Sequence, residues 1–174
     1  MKLEHGLAAG IALAAPAIMV TVAASAAPAR PAALPACGTS LLTWFAPQGN
    51  GFTGGAGYVV EFSNIGTTTC TVKGFPTVKL TENGNQVGLK ATTSGPAPAT
   101  VTLKRGQTAH VALIIRDAGA ICTPSPTNGL SVKPPGNTQA SNFRLVAFGA
   151  CPGKSTMSVD AINPGVGIPF FTIH

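Results

Sequence analysis

An alternation of side chains over residues 58–63 indicates a β-strand with one buried face. Tyr58, Val60 and Phe62 fall on one side of an extended chain, whereas Glu61 falls on the other. Successive side chains of a strand point to opposite sides of a sheet, so a period of two is typical of a half-buried strand. We therefore predict that Tyr58, Val60 and Phe62 face a core.

A second strand is predicted directly after the first. Residues 64–66 (Asn-Ile-Gly) tolerate backbone conformations that reverse the chain. Thr68, Cys70 and Val72 then share one face. We expect the two strands to pair as a hairpin, with Cys70 directed inward, where a second cysteine can meet it.

The first residues have the pattern of an export signal. An apolar core over residues 6–22 precedes Ala24-Ser-Ala, the small-x-small form that signal peptidase accepts, so we predict a signal peptide over residues 1–26, cleaved between Ala26 and Ala27. The alternative is an uncleaved membrane anchor, for which this core is short and alanine-rich. Residues 27–36 are predicted to form a Pro/Ala-rich tether, and residues 37–174 a single β-sandwich domain without a transmembrane span.

The charge of the chain is low in density and positive in sign. Removing residues 1–26 takes away Lys2 and Glu4, so the formal net charge stays at +6. Such a balance favours anionic partners, among which we consider a cell-wall polymer, lipid head groups and nucleic acid. The basic residues are scattered singly apart from Lys104-Arg105, and no basic run is interleaved with aromatics, which argues against nucleic acid. An anionic cell-wall polymer or an extracellular protein remains as the expected partner.

The remaining pattern predicts an all-β fold. Short apolar-alternating segments separated by turn residues every 8–12 positions or so indicate an antiparallel β-sandwich, and no segment outside the signal keeps a helical period. Asn83-Gly84 predicts one hairpin. Residues 100–104 and 108–116 are expected to pair around Arg105-Gly106. Residues 47–57 are predicted to form a loop, in which a G-x-G-x-x-G match is incidental because a strand follows it.

The four cysteines predict two disulfides. An exported chain with an even number of cysteines most simply pairs them all, and Cys37, Cys70, Cys122 and Cys151 allow three pairings. Chain order favours Cys37–Cys70 and Cys122–Cys151. A zinc site is the alternative, but none of these cysteines has a partner at the close spacing that such sites use.

The titratable residues do not form a recognisable catalytic pattern. After signal removal the candidates are His110, His174, Glu61, Glu82, Asp117 and Asp160. His110 lies on the strand face opposite the predicted core, and no nucleophile motif is present. We predict that the protein is not an enzyme, with no catalytic residue, no cofactor and no metal.

Aromatic residues around the Gly-rich segment give the best indication of binding. Trp44, Phe45 and Phe52 are candidates for a binding loop. The alternative is that Trp44 and Tyr58 belong to the core and Phe52 alone is exposed, which is the interpretation we favour.

Several segments resemble an exported actinobacterial family. The resemblance rests mainly on the pattern F-x-N-x-G-x-T-x-C-x-V-x-G-x-P over residues 62–76, and more weakly on Cys37, Cys151 and residues 102–106 and 130–135. The family is known as domain of unknown function 4232. The resemblance implies a secreted or surface-attached, immunoglobulin-like β domain with two disulfides. It implies no activity and no site residue.

Three functions follow as hypotheses. The first is a secreted, non-enzymatic binding module, free outside the cell or loosely associated with the cell envelope. The second is an inhibitor of extracellular proteases that presents the disulfide-tied loop over residues 123–127, next to Cys122. A hydrolase would require Asp160, Asp117, Glu61 or His110 to converge in a pocket.

Overall fold

The computed structural model describes residues 32–145 and 148–167. The predicted signal peptide, its cleavage point between Ala26 and Ala27, the first half of the predicted tether (residues 27–31) and His174 lie outside the described residues. From Ala33 onward the described residues belong to one compact unit.

The described chain is all-β. Its strands are β1 (Leu42–Trp44), β2 (Gln48–Phe52), β3 (Gly55–Asn64), β4 (Cys70–Lys73), β5 (Thr77–Glu82), β6 (Asn85–Val87), β7 (Thr92–Thr93), β8 (Thr100–Leu103), β9 (Thr108–Arg116), β10 (Gly129–Lys133), β11 (Ser141–Arg144), β12 (Met157–Val159) and β13 (Asn163–Pro164). Two single 3₁₀ turns, Thr39–Leu41 and Ala118–Ala120, are its helical elements. The predicted all-β class is confirmed.

The strands form three sheets. The largest has the order β1-β3-β9-β12-β7, with β2 added to β3 and β13 added to β9. A second sheet has the order β11-β10-β5-β6, and β4 pairs with β8 in a third. Every pairing is antiparallel except that of β7 with β12. The result is a sandwich-like arrangement of antiparallel sheets.

All three sheets contribute to one apolar core. Phe62 and Leu113 come from the largest sheet, Leu80 and Leu130 from the second and Leu103 from the third, and each is at most 1% exposed. Trp44 joins the layers at one point, because its ring lies 4.8 Å from that of Phe62 and 6.2 Å from that of Phe143.

Burial of Val60, Phe62, Cys70 and Val72 confirms the inward positions predicted there, whereas Thr68 is exposed because β4 begins only at Cys70. Val59 and Ser63 are buried too, so the prediction that only one face of β3 is buried is wrong.

Two predicted hairpins are wrong. Neither β3 and β4 nor β8 and β9 pair with each other; instead β3 pairs with β9 and β4 pairs with β8. Each predicted turn thus carries the chain from one sheet to another. The two corners bond to each other, since the Asn64 N–H donates to the Gln107 carbonyl and the Gly106 N–H donates to the Asn64 carbonyl.

Both predicted disulfides are confirmed. Cys37 bonds to Cys70 and Cys122 bonds to Cys151, with sequence separations of 33 and 29 residues. The first lies beside a short backbone pairing, in which Cys37 N–H donates to the Thr71 carbonyl and Thr71 N–H donates to the Pro35 carbonyl. The last residues of the predicted tether are therefore already part of the folded body.

The predicted Gly-rich loop is in fact a hairpin. Residues 48–52 form β2, which pairs with residues 55–59 of β3 around a Thr53-Gly54 turn. Gly49 suits this strand because a Cβ there would lie 2.2 Å from the Gly57 carbonyl oxygen and 2.6 Å from Cδ1 of Tyr58. Glycine and asparagine have low strand propensity, which is why the sequence pattern indicated a loop.

Candidate functional site

The outward side of the β11-β10-β5-β6 sheet carries three cations, and we call this side the basic face. Lys79 of β5 lies opposite Ser131 of β10, Lys133 of β10 lies opposite Thr77, and Arg144 of β11 lies opposite Gly129. Residues directly opposite in a ladder share a face. Because Val78 and Val132 alternate with the two lysines and are buried, the cations point away from the core.

The register sets the spacing of these charges. Lys79 and Lys133 are diagonal neighbours, so their Cα atoms lie about 7–8 Å apart. A strand spacing of about 4.8 Å and a rise of about 3.4 Å per residue place the Arg144 Cα roughly 12 Å from that of Lys79 and roughly 14 Å from that of Lys133. The three charges form a triangle wide enough to contact several units of an extended polymer.

The rest of the basic face is polar and carries no acid among the described residues. Hydroxyl and amide side chains lie between the cations: Thr77, Ser131, Asn142 and Gln86. Glu82 is the acid of this sheet, and it lies opposite Asn85. It is two residues from the buried Leu80 on the same strand, so it points to the other side of the sheet. No ion pair neutralises the three cations within the described part of the chain.

A cleft of about 310 Å³ adjoins Arg144 at one end of the basic face. Gly129 forms its floor, between Thr81 on one neighbouring strand and Arg144 on the other. A Cβ at Gly129 would lie 2.5 Å from Oγ1 of Thr81, so a side chain there would collide with Thr81. Asn83 and Asn128 form the wall.

The amides of this wall bond to each other in a fixed way. Asn128 Oδ1 accepts from the Asn83 N–H at 3.0 Å, and Asn128 Nδ2 donates to Asn83 Oδ1 at 2.9 Å. The Asn83 Nδ2 group and the exposed Asn142 amide have no partner among the described residues. They are therefore the amides that a ligand in the cleft can bond.

The acids and the histidine singled out from the sequence make structural hydrogen bonds, and the structure brings Glu61 and His110 side by side. Glu61 lies opposite His110 on the outer side of β3 and β9, where Glu61 Oε1 accepts from Gly167 N–H at 2.9 Å and His110 Nδ1 lies 2.9 Å from the Gly165 carbonyl. Both side chains thus hold the segment that follows β13.

The two aspartates are engaged elsewhere. Asp117 accepts from the Gly119 N–H and so caps the Ala118–Ala120 turn, while Asp160 accepts from the Ser94 hydroxyl at 2.5 Å. Among the described residues, no group of three His, Cys, Asp or Glu side chains is placed to hold a metal ion. Within the same residues, no helix has the length and hydropathy needed to cross a membrane.

The candidate aromatics do not form a common surface. Trp44 lies opposite Phe62 and packs against the core, whereas Phe52 lies opposite Gly55, seven residues along β3 and so about 24 Å away. Phe45 is exposed. Tyr58 packs edge-on against Phe148 with ring centroids 5.8 Å apart, and burial raises the pKa of its phenol above 10.0.

The loop over residues 123–127 is attached to the body at its centre. The Ser125 N–H and carbonyl both bond to Ala150 at 2.9 Å, next to the Cys122–Cys151 disulfide. Thr123, Pro124 and Pro126 are exposed on its outer side. The backbone of Ser125 therefore faces the body of the protein.

Sequence reasoning missed the basic face because its three cations are far apart in the chain. Each occupies an outward, polar position of a strand in which buried and exposed side chains alternate. Lys79 lies between Val78 and Leu80, and Lys133 follows Val132. This alternation was visible in the sequence. What was not visible is the pairing of β10 with both β5 and β11, which brings these positions onto one surface.

The comparison with known families agrees with the segments noted above. The model of a domain of unknown function (DUF4232) matches residues 37–163. The chain belongs to the DUF4232 family. The matched range of DUF4232 includes all four cysteines and every cation of the basic face. No curated protein and no solved structure matches the chain.

Proposed function

We propose that this DUF4232 protein is an exported, non-enzymatic binding module that attaches to an anionic polymer of the cell envelope through its basic face. The observation that carries the proposal is the segregation of charge: Lys79, Lys133 and Arg144 share one sheet surface on which no described acid lies. Unpaired cations on a flat surface attract a polyanion at long range and hold it by several contacts.

The disulfides support export. Two bridges without a free cysteine are typical of proteins that fold in an oxidising compartment, outside the cytoplasm. A module outside the cell meets the anionic polymers of the envelope directly. The low overall charge density makes a localised basic surface more selective, because few other charges compete with it.

The placement of the acids supports a role without turnover. Glu61, His110, Asp117 and Asp160 each make a bond that fixes a turn or a neighbouring segment. General acid–base catalysis needs such groups to converge on a substrate in a pocket. Glu61 and His110 are neighbours, but both are bonded to the segment after β13, and Asp117 and Asp160 bond at other places, which favours binding over catalysis.

Two charge-matched triple variants test the proposal. Lys79→Gln/Lys133→Gln/Arg144→Gln removes the basic face, whereas Lys73→Gln/Lys104→Gln/Arg105→Gln removes three exposed cations of β4 and of the turn after β8. Both lower the formal charge from +6 by three. We expect the first to weaken binding to washed envelope material at least tenfold and the second less than twofold. Raising the salt concentration should weaken wild-type binding, because exposed charges are screened.

Equal losses in the two triple variants would mean that net charge alone attracts the polymer and that the basic face is not the site. Retained binding in the first variant would overturn the proposal. Circular dichroism and urea unfolding of each variant establish that the fold is intact, which we expect because all six side chains lie on the surface.

A second function, inhibition of extracellular proteases, is supported by one observation. Thr123, Pro124 and Pro126 form an exposed ridge that the Cys122–Cys151 disulfide and the Ser125–Ala150 bonds hold rigid. A rigid loop loses little entropy on binding. Titration of secreted serine proteases with the protein should then slow cleavage at micromolar excess, and Pro124→Ala/Pro126→Ala should relieve it. No slowing with any protease of such a panel would remove this hypothesis.

A further inference from the structure

Resting on the proposed function, we infer that the cleft beside Arg144 binds one unit of an acidic polysaccharide: a pyranose ring that carries a carboxylate and neighbouring hydroxyl groups. The cleft supplies the three kinds of contact that such a unit requires. These are a cation for the acid, amides for the hydroxyls, and a floor without a side chain for the ring.

Arg144 provides the contact with the acid. Its guanidinium presents donors in a planar fork that matches a carboxylate bidentately, and no described acid pairs with it. It lies across β10 from Thr81, with Gly129 between them. The carboxylate therefore binds at the β11 side of the cleft while the rest of the unit extends toward β5.

The amides of the cleft provide the contacts with hydroxyl groups. A sugar hydroxyl both donates and accepts, and an asparagine side chain does the same. The Asn142 amide and the Asn83 Nδ2 group have no partner among the described residues, whereas the Asn83–Asn128 bonds hold the wall in place. Contacts of this kind distinguish a hydroxylated polyanion from a polymer that offers charge alone.

The glycine floor suits a ring. Gly129 is the buried first residue of β10, and a Cβ in its place would collide with Oγ1 of Thr81. A rigid pyranose ring that lies over this floor loses less conformational freedom on binding than a flexible polyol phosphate chain. This argument selects an acidic polysaccharide over a polyol phosphate polymer. Lys79 and Lys133 then contact further acidic units along the chain.

The test compares four probes with defined variants of the full protein. The probes are an oligogalacturonate, a neutral oligogalactose, a poly(glycerol phosphate) and an inorganic polyphosphate, each titrated calorimetrically. Asn142→Ala removes one amide. Asn83→Gly removes the other, together with the bond from Asn128 Nδ2 to Asn83 Oδ1, and keeps the positive φ of 51° that the turn requires. Asn85→Ala, an exposed asparagine outside the cleft, is the control.

We expect Asn142→Ala and Asn83→Gly each to weaken oligogalacturonate binding about fivefold, the effect of one lost hydrogen bond, and to change polyphosphate binding less than twofold. Asn85→Ala should leave both unchanged. The triple variant of the basic face should lose oligogalacturonate and polyphosphate alike. Neutral oligogalactose should bind at least tenfold more weakly than oligogalacturonate.

Three outcomes would overturn the inference while leaving the proposed function in place. The first is that Asn142→Ala weakens the binding of oligogalacturonate and of polyphosphate equally. The second is that neither Asn142→Ala nor Asn83→Gly weakens the binding of oligogalacturonate. The third is that poly(glycerol phosphate) binds as tightly as oligogalacturonate and that both substitutions weaken its binding equally. Failure of the wild type to bind any polyanion, or undiminished binding by the triple variant, would instead overturn the proposed function and the inference with it.

Discussion

Asn64 connects the two corners that carry the chain between sheets. Its side chain is completely buried, and its Nδ2 group donates to the carbonyls of Thr68 and Leu103 at 2.9 Å each. Its Oδ1 atom accepts from the Gly66 N–H at 2.9 Å. The amide thus uses both of its donors and one of its two acceptor sites. These bonds hold residues 64–68 against the end of β8.

Asn64→Ala should therefore destabilise the protein strongly. The substitution leaves the Leu103 carbonyl without its partner in a buried place, and the Thr68 carbonyl and Gly66 N–H without theirs at partly buried positions. We expect the free energy of unfolding to fall by about 3 kcal/mol. The midpoint of urea unfolding measures this loss. Asn85→Ala, at an exposed position, should change the free energy by less than about 0.5 kcal/mol. A similar small effect of Asn64→Ala would mean that the corners are held by packing alone.

Tyr58 predicts how stability depends on alkaline pH. Burial raises the pKa of its phenol above 10.0, so the unfolded chain releases this proton first as the pH rises. The stability that neutral Tyr58 contributes is complete below about pH 10 and is lost above that value. We expect urea midpoints of the wild type to fall more steeply than those of Tyr58→Phe between pH 9 and pH 11. Parallel curves for the two proteins would contradict this expectation.

At the scale of elements, the sequence predicted which segments are strands better than it predicted which strands pair. The alternation of Val78 and Leu80 in β5 and of Val111 and Leu113 in β9 reports burial on one face, which depends only on the local chain. A turn signal such as Arg105-Gly106 reports only that the chain reverses there. Whether the next strand joins the same sheet or another depends on distant residues, and here Asn64 supplies the deciding bonds.

The β2 strand gives an element-scale prediction with an internal control. Gly49 and Gly51 share one face of β2, but a Cβ at Gly49 would meet the Gly57 carbonyl oxygen at 2.2 Å, whereas a Cβ at Gly51 would meet only the Gly55 carbonyl oxygen at 3.9 Å. We expect Gly49→Ala to lower the free energy of unfolding by about 2 kcal/mol through overpacking. Gly51→Ala should be neutral or slightly stabilising, because it restricts the unfolded chain. Urea unfolding of both variants checks the pair, and equal effects would mean that β2 is not held against Tyr58.

At the scale of the whole molecule, the two disulfides should supply a large share of the stability. Closed loops of 33 and 29 residues correspond to about 3–4 kcal/mol each in the chain-entropy model. A domain of this size has a net stability of about 5–15 kcal/mol. Cys37→Ser/Cys70→Ser and Cys122→Ser/Cys151→Ser should each lower the free energy of unfolding by about 3–4 kcal/mol, as measured by urea unfolding. A loss below about 1 kcal/mol for either pair would show that its segments are held by packing alone.

The candidate site also depends on the whole molecule, which limits what the sequence could predict. The positive net charge indicated an anionic partner, but Lys79, Lys133 and Arg144 share a surface only because β10 joins β5 and β11. The aromatic candidates were chosen by proximity in sequence, and the β2–β3 hairpin separates them. The local pattern therefore predicted only the sign of the charge expected of a partner, whereas the proposed binding surface depends on the pairing of distant strands.

The bond between Cys37 and Cys70 also determines how the protein responds to mechanical force. Tension applied through the residues that precede Cys37 passes at that point into β4 across a covalent link, next to the backbone pairing of Pro35 and Cys37 with Thr71. Pulling can break those few hydrogen bonds, but it cannot peel the chain past the sulfur atoms. A protein held by its amino-terminal segment in flowing medium would keep its fold up to the force that separates β4 from β8, and a reducing environment would remove that protection.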